Sequence, residues 1–386
     1  MVPHLKVKPF SLSKIEKSSS RFTLFNAMDG HKGNVVLYEK STDARFLDIV
    51  QKEAEYLIKP NSITRGADAQ TLKKILEEFA QMCELDVIHS NTQSNLNKPK
   101  LASEYLKSIE DFYDFKTEFE KVKVEVGFGS ARHLLYRAAQ EPETLFIGIE
   151  IHTPSINQLL KQIALQGVKN ILVLNYDARL LLEMLPSNVL ETIYVHFPVP
   201  WDKKPHRRVI STAFVTQALR ALKKGGKLEL RTDSDNYYVY ALEVFSSLLK
   251  AEFTVSKNSY IEVISKYEER WRRMEKDIYT LSLYSLEESK EERIELNFDL
   301  DKISLEDIKV PRESIVKSDF FVHFGKRFKS DSKKGFVVEC SFGSFTMPEK
   351  KIIVANEEKC YYLPSKPVKT RVNQKAHNLI KEVLNG

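Results

Sequence analysis

From about Lys121 the sequence alternates between two kinds of segment, and this alternation limits the folds open to it. The runs VKVEV, TLFIGIE, NILVLNY, TIYVHF and KLELRT are short, apolar and nearly evenly spaced. Between them lie helical stretches such as ARHLLYRAAQ, SINQLLKQIALQG and ISTAFVTQALRALKKGG. Apolar strands that alternate with helices predict a mostly parallel sheet covered on both faces. The class expected is α/β. In LKKGG, two lysines and Gly225 read as the last turn and cap of a helix.

The flanks read differently. RFTLFN and NVVLYEK predict strands joined by a turn in MDGHKG. TLKKILEEFAQMCEL predicts an amphipathic helix with Leu72, Ile75, Leu76 and Phe79 on one face. Beyond the alternating core, FFVHFGKRF, GFVVECSF and KIIVAN predict successive strands, and TRVNQKAHNLIKEVLNG a closing helix. The polar NTQSNLNKPK and the charged EESKEERIE mark boundaries. The expected organisation is an α+β extension over 1–100, the α/β domain over 101–290, and a second α+β extension over 291–386. No internal repeat is evident.

The 386 residues are enough for two or three domains. An apolar content of 42% with 29% charged residues fits a soluble globular chain. The net charge of +6 is compatible with a nucleic-acid partner without requiring one. Cys83, Cys340 and Cys360 are odd in number and widely spaced, which argues against a disulfide framework or a zinc site. His133, His152 and His196 lack metal-ligand spacing and are read as structural, so no metal is expected. The start MVPHLKVKPFSLSK has no apolar core of a signal peptide, and no apolar run approaches the roughly 20 residues needed to span a bilayer. A cytoplasmic location without membrane contact is expected. The oligomeric state is left open.

EVGFGSAR lies between a strand and a helix. Gly127 and Gly129 allow a tight turn and a close approach of backbone N–H groups to a ligand. The third glycine of a dinucleotide fingerprint would fall at Arg132, which disfavours a nicotinamide oxidoreductase. Glu125 precedes the turn, Glu150 ends the second strand, and Asp177 follows the third. Carboxylates at successive strand ends suit one nucleoside-like ligand: Glu150 for ribose hydroxyls and Asp177 for an adenine amino group. At Glu125 an acid suits a cationic sulfonium compound better than a pyrophosphate, which points to S-adenosylmethionine (SAM).

After the fourth strand comes HFPVPWDKKPHRR. Lys203, Lys204, His206, Arg207 and Arg208 cluster there, and Arg270, Arg272, Arg273 and Lys276 cluster around Trp271. Such clusters suit phosphate contacts, though a solvated surface has the same composition. Trp201 suits either base stacking or packing behind Pro200. FGKRFKSDSKKGF is basic and aromatic, as both RNA-contacting loops and exposed hairpin turns are.

The ordered set EVGFGS, FIGIEIHTPS, YDA, HFPVPWDKKPHRR, LKKGGKLELRTDSDNY and SKYEERW resembles the bacterial tRNA (guanine-N7-)-methyltransferases, over about residues 122–279. That resemblance implies a seven-strand Rossmann-like methyltransferase fold, with SAM against Glu125, Gly127, Gly129, Glu150 and Asp177. It implies tRNA against Lys203, Asp233 and a Thr-Lys-Phe-Glu motif, which here reads Ser265, Lys266, Tyr267, Glu268. The reaction implied is methylation of N7 of a guanine in the tRNA variable loop. The family pattern Phe-Pro-Asp-Pro-Trp departs here to Phe197, Pro198, Val199, Pro200, Trp201. Guanine N7 has a lone pair and no proton to remove, so no general base is required. Asp202 and Asp233 are the expected suppliers of catalytic charge in place of that aspartate. A SAM- or RNA-binding homologue without turnover is the other reading.

Overall fold

The computed structural model describes residues 2–18, 21–28, 33–40, 43–64, 69–92, 103–113, 115–263, 266–291, 296–303, 305, 309–330, 335–345 and 347–386. NTQSNLNKPK and EESKEERIE fall partly outside these residues, as does Ser265. The chain forms two compact units, one of residues 99–295 and one of 1–98 with 296–386.

In the 99–295 unit the strands are β1 (Leu106–Lys107), β2 (Lys121–Val126), β3 (Thr144–Ile149), β4 (Ile171–Leu174), β5 (Leu190–His196), β6 (Leu222–Thr232), β7 (Glu252–Lys257) and β8 (Tyr279–Tyr284). The helices are α1 (Arg132–Gln140), α2 (Thr153–Gln166), α3 (Ala178–Met184), α4 (Thr212–Ala221), α5 (Asp235–Ser246) and α6 (Lys266–Arg273). The sheet runs β7-β8-β6-β5-β2-β3-β4-β1. β1 to β6 are mutually parallel, while β8 is antiparallel to both β6 and β7. The expected α/β sheet is present, with the two-residue β1 as an eighth strand.

Local chemistry sets the helix starts. Asp177 caps α3 by accepting from Arg179 N at 3.0 Å, and Ser211 and Ser234 cap α4 and α5 through Phe214 N and Tyr237 N, both at 3.2 Å. Pro154 stands in the first turn of α2, where its missing N–H costs nothing. One apolar cluster joins Leu134, Leu135 and Ala138 of α1 and Ile156, Leu159 and Ile163 of α2 to Phe146, Val173 and Tyr194 of the sheet. Each leucine, isoleucine, valine or phenylalanine side chain withdrawn from water contributes about 1.5–3 kcal/mol.

LKKGG is not a helix end. α4 stops at Ala221, and Leu222 already pairs with Leu190 in the sheet. The next registered pair is Thr192 with Lys227, so the glycines sit in a bulge of β6. Gly225 has φ +80°, and a Cβ on Gly226 would lie 2.9 Å from the carbonyl oxygens of Glu191 and Lys223. The glycines serve a close backbone approach, a need that local helix signals do not reveal.

In the other unit, both flanks build one eleven-stranded sheet. The N-terminal strands include Phe22–Ala27, Asn34–Lys40 and Asp43–Gln51; the C-terminal ones include Phe321–Ser330, Gly335–Gly343, Pro348–Ala355 and Cys360–Leu363. The halves join where Phe328 and Lys329 pair with Ala27 and Asn26. The predicted helix is present as Ala69–Met82, with Leu72, Ile75, Leu76 and Phe79 all 2% exposed or less. Between the halves Phe25, Val35, Leu37 and Phe46 meet Phe328, Val337, Ile352 and Val354. The flanks, read from the sequence as two separate extensions, thus share a core and a sheet.

Candidate active site at the carboxyl edge of the sheet

The chain runs outward from β2 to β3 and β4, then returns to place β5 beside β2. This reversal opens a crevice at the strands' carboxyl ends, the usual ligand site of such sheets. Glu125 stands near the end of β2 and is 4% exposed. Its Oε2 lies 2.8 Å from Nδ1 of His133, in the first turns of α1. Gly127 follows with φ +70°, and a Cβ there would meet nothing within 4 Å. Gly129, with φ +51°, donates its N–H to Oε2 of Glu150 at 3.0 Å. Glu150 Oε1 accepts from Ile151 N at 2.8 Å and His152 N at 2.9 Å. Three backbone donors fix that carboxylate: Oε1 accepts two of them, and Oε2, which accepts one, keeps a lone pair for a ligand hydroxyl. Asp177 caps α3 and is paired with Arg179 at 2.6 Å.

The open space at Gly127 and the acceptors of Glu125 and Glu150 fit the amino and hydroxyl groups of SAM. Glu125 at the end of β2 places a carboxylate where a pyrophosphate would meet like charge. Among the described residues no group of three or more His, Cys, Asp or Glu could hold a metal ion.

The β5–α4 loop is shaped from within. Phe197 and Trp201 both adopt left-handed backbone conformations, with φ +51° and +48°, which is strained for bulky residues. Arg208 braces the turn: its Nε donates to Pro200 O at 2.7 Å, and its guanidinium lies over Tyr237 and Tyr240 at 5.2 and 4.6 Å. At 6% exposure, Arg208 is a strut of the loop and not one of its exposed cations. Lys203, Lys204, His206 and Arg207 are exposed, and Arg207 lies 5.1 Å from the Trp201 ring. Val199 is 60% exposed at the tip. Asp202 is held by Arg208 at 3.3 Å and Asn236 at 3.4 Å.

Asp233, just past β6, is paired with Lys276 at 2.8 Å. Lys266 begins α6. Glu268 is 1% exposed and faces inward, bonded to Arg231 at 2.8 Å and Arg272 at 2.7 Å. The structure therefore brings Glu125, Glu150, Asp177, Asp202, Lys203 and Asp233 to one edge of the sheet and buries Glu268 behind it.

No motif in the sequence marks the pairing of Arg231, His133 or His196 with its partner. Lys227, Glu229 and Arg231 alternate along β6, a period-two pattern that puts all three on one face. There Glu229 Oε1 lies 3.0 Å from His196 Nε2, and Lys227 donates to Glu229 Oε2 at 2.6 Å. Burial would raise the Glu229 carboxyl, but the bonds from His196 and Lys227 prevail and hold it below the usual range. Burial lowers His196, against the opposing pull of its bond to Glu229. The His196 ring lies 4.7 Å from that of His133, tilted by 56°, and so adjoins the residue that holds Glu125.

A separate cleft of about 750 Å³ opens at the opposite, amino edge, where Glu118, Glu120, Glu141 and Glu143 would repel phosphates.

Strand order, crevice and carboxylates together define a Rossmann-like methyltransferase. A family model described as "Putative methyltransferase" matches residues 120–281. The likeness to curated relatives extends well beyond that segment. The chain is 39% identical over 334 residues to the tRNA (guanine-N(7)-)-methyltransferase of Wolinella succinogenes, covering 86% of each. It is 36% identical over 358 residues to that of Campylobacter fetus, covering 90% of each. It is 38% identical over 351 residues to that of Helicobacter pylori, covering 89% of this chain and 86% of that one. The chain belongs to the tRNA (guanine-N(7)-)-methyltransferase family.

Proposed function

We propose that this chain transfers a methyl group from SAM to N7 of a guanine in tRNA, in the variable loop. The observation that carries this reading is the identity to tRNA (guanine-N(7)-)-methyltransferases over 86% of both chains. SAM supplies an electrophilic methyl group on a sulfonium. The guanine N7 lone pair attacks directly, and no side chain has to remove a proton. The task of the protein is therefore placement, which can supply several kcal/mol of barrier lowering, and electrostatics around a moving positive charge.

In this reading Glu125, Gly127, Gly129, Glu150 and Asp177 hold the cofactor. Lys203 and its exposed neighbours meet RNA phosphates, while Ser265 and Lys266 contact the tRNA. Glu268 acts through Arg231 and Arg272. Asp202 and Asp233, each already paired with a cation, balance charge beside the transferring methyl. Val199 sets the apolar wall of the loop tip and takes no proton. A cytoplasmic location fits a tRNA substrate, and no described helix is long and apolar enough to cross a membrane.

The test is incubation with unmodified tRNA and methyl-labelled SAM, followed by nucleoside analysis. Labelled 7-methylguanosine is expected. SAM binding without methyl transfer would support the binding-only homologue instead.

A further inference from the structure

Among the described residues, part of one face of the eleven-stranded sheet carries exposed apolar side chains. On strands Phe321–Ser330, Gly335–Gly343 and Pro348–Ala355, one face packs under the helix Arg371–Asn385 through Val322, Phe324, Val338 and Phe342. The opposite face is core at one end, where Phe328, Val337, Ile352 and Val354 lie. Toward Phe321 the same face carries different chemistry. Phe321 stacks on Phe345 with ring centroids 5.9 Å apart and planes 25° from parallel. Phe345 is 52% exposed, and Val316, registered opposite Phe321, is 63% exposed. In the adjoining row His323, Ser341 and Lys350 lie side by side across three strands. Glu339 lies further along, beside Gly325.

Charge tells which partner suits this surface. Residues 1–98 and 296–386 carry 31 Lys and Arg against 24 Asp and Glu, a net +7. Residues 99–295 carry 28 against 29, a net −1. The positive charge of the protein therefore resides in the unit without the methyltransferase crevice. A flat aromatic ring beside a sheet, with the Lys350 cation and the His323 ring one row away, suits an unpaired nucleotide. Bases of any sequence stack on such a ring, and a lysine beside it meets the phosphates.

We propose that Phe345, backed by Phe321, is a stacking platform for an unpaired nucleotide of the RNA substrate, with Lys350 and His323 beside its backbone. The proposal rests on the reading that the substrate is a tRNA. It gives the second unit a binding role that the methyltransferase fold does not supply.

The test uses the full chain, bulk tRNA and a fluorescent single-stranded twelve-mer of uridine, with anisotropy as the readout. Phe345→Ala is expected to weaken binding of both about tenfold, and Phe345→Trp to keep it within about twofold. Lys350→Glu is expected to weaken binding and flatten its salt dependence. SAM affinity should stay unchanged in all three variants. Wild-type RNA affinity in Phe345→Ala would overturn the proposal, as would a loss that Phe345→Trp does not restore. A change in oligomeric state with unchanged RNA affinity would assign the patch to a second copy of the chain and overturn it too. Wild-type protein that binds the twelve-mer but forms no 7-methylguanosine on tRNA would fault the enzymatic reading and leave the platform standing.

Discussion

The Arg231 guanidinium lies 2.8 Å from the Glu268 carboxylate, and each side chain is 1% exposed. Arg231 also donates to Thr280 Oγ1 at 2.6 Å, and Glu268 receives Arg272 from its own helix. The pair fastens α6 to the end of β6, two residues before Asp233. A second tie, Lys276 to Asp233, closes the same corner. The helix that carries part of the proposed RNA contact is thus anchored through buried charge.

Glu268→Ala leaves the Arg231 charge buried without its carboxylate. Removing one partner of such a pair costs about 3–5 kcal/mol. The melting temperature of the variant should fall by roughly 10 °C. Lys203→Ala, on an exposed residue, should leave it unchanged while weakening tRNA binding. Equal melting temperatures for Glu268→Ala and the wild type would mean that the pair does not anchor α6.

His133 holds Glu125 by one oxygen, which leaves Oε1 for a ligand. Glu125→Ala should raise the SAM dissociation constant about tenfold or more, the scale of a lost charged hydrogen bond. His133→Phe should produce a smaller loss, and His133→Asn, whose amide can stand near the position of Nδ1, should recover most of it. Calorimetric titration with SAM reads all three. Unchanged affinity in Glu125→Ala would remove this carboxylate from the cofactor site.

Asp202 and Asp233 are the nearby acids in a loop where Val199 replaces the family's aspartate. If they balance charge during transfer, Asp202→Ala and Asp233→Ala should each lower kcat at saturating SAM, by about tenfold. The pH profile should keep its shape, because neither acts as a base. Near-wild-type turnover in both variants would rule them out.

Glu183 and His377 should contribute to the pH dependence of stability in opposite directions. Burial pushes the Glu183 carboxyl up to about 7 from 4.5, against a partial lowering by Arg220. The native state keeps this proton while the unfolded chain gives it up near 4.5, so stability declines as pH rises from about 4.5 to 7. Burial lowers His377, bonded to Tyr362, from 6.5 to about 4. The unfolded chain protonates there first, so stability declines as pH falls from about 6.5 to 4. Glu183→Gln should raise the melting temperature at pH 8 and leave it unchanged at pH 4.5. His377→Gln should reduce the acid sensitivity. A melting temperature for Glu183→Gln that tracks the wild type at pH 8 would show the carboxyl to be well solvated.

The sequence by itself determined the methyltransferase core. Apolar runs alternating with helices specify a parallel sheet, because period and composition record burial on both faces. The glycine turn and the carboxylates at strand ends were legible for the same reason: each lies within a few residues of the strand that positions it. Tertiary structure alone decided the remainder. Phe328 pairs with Ala27 from the other end of the chain, uniting the two flanks in one sheet. Gly225 and Gly226 serve a bulge in β6 where a helix cap was expected. Glu268 turned inward to Arg231, and Arg208 became a strut. Each of these depends on a partner distant in sequence. Strand pairing and buried ion pairing are satisfied by whichever complementary group folding brings alongside, and local periodicity holds no record of that choice.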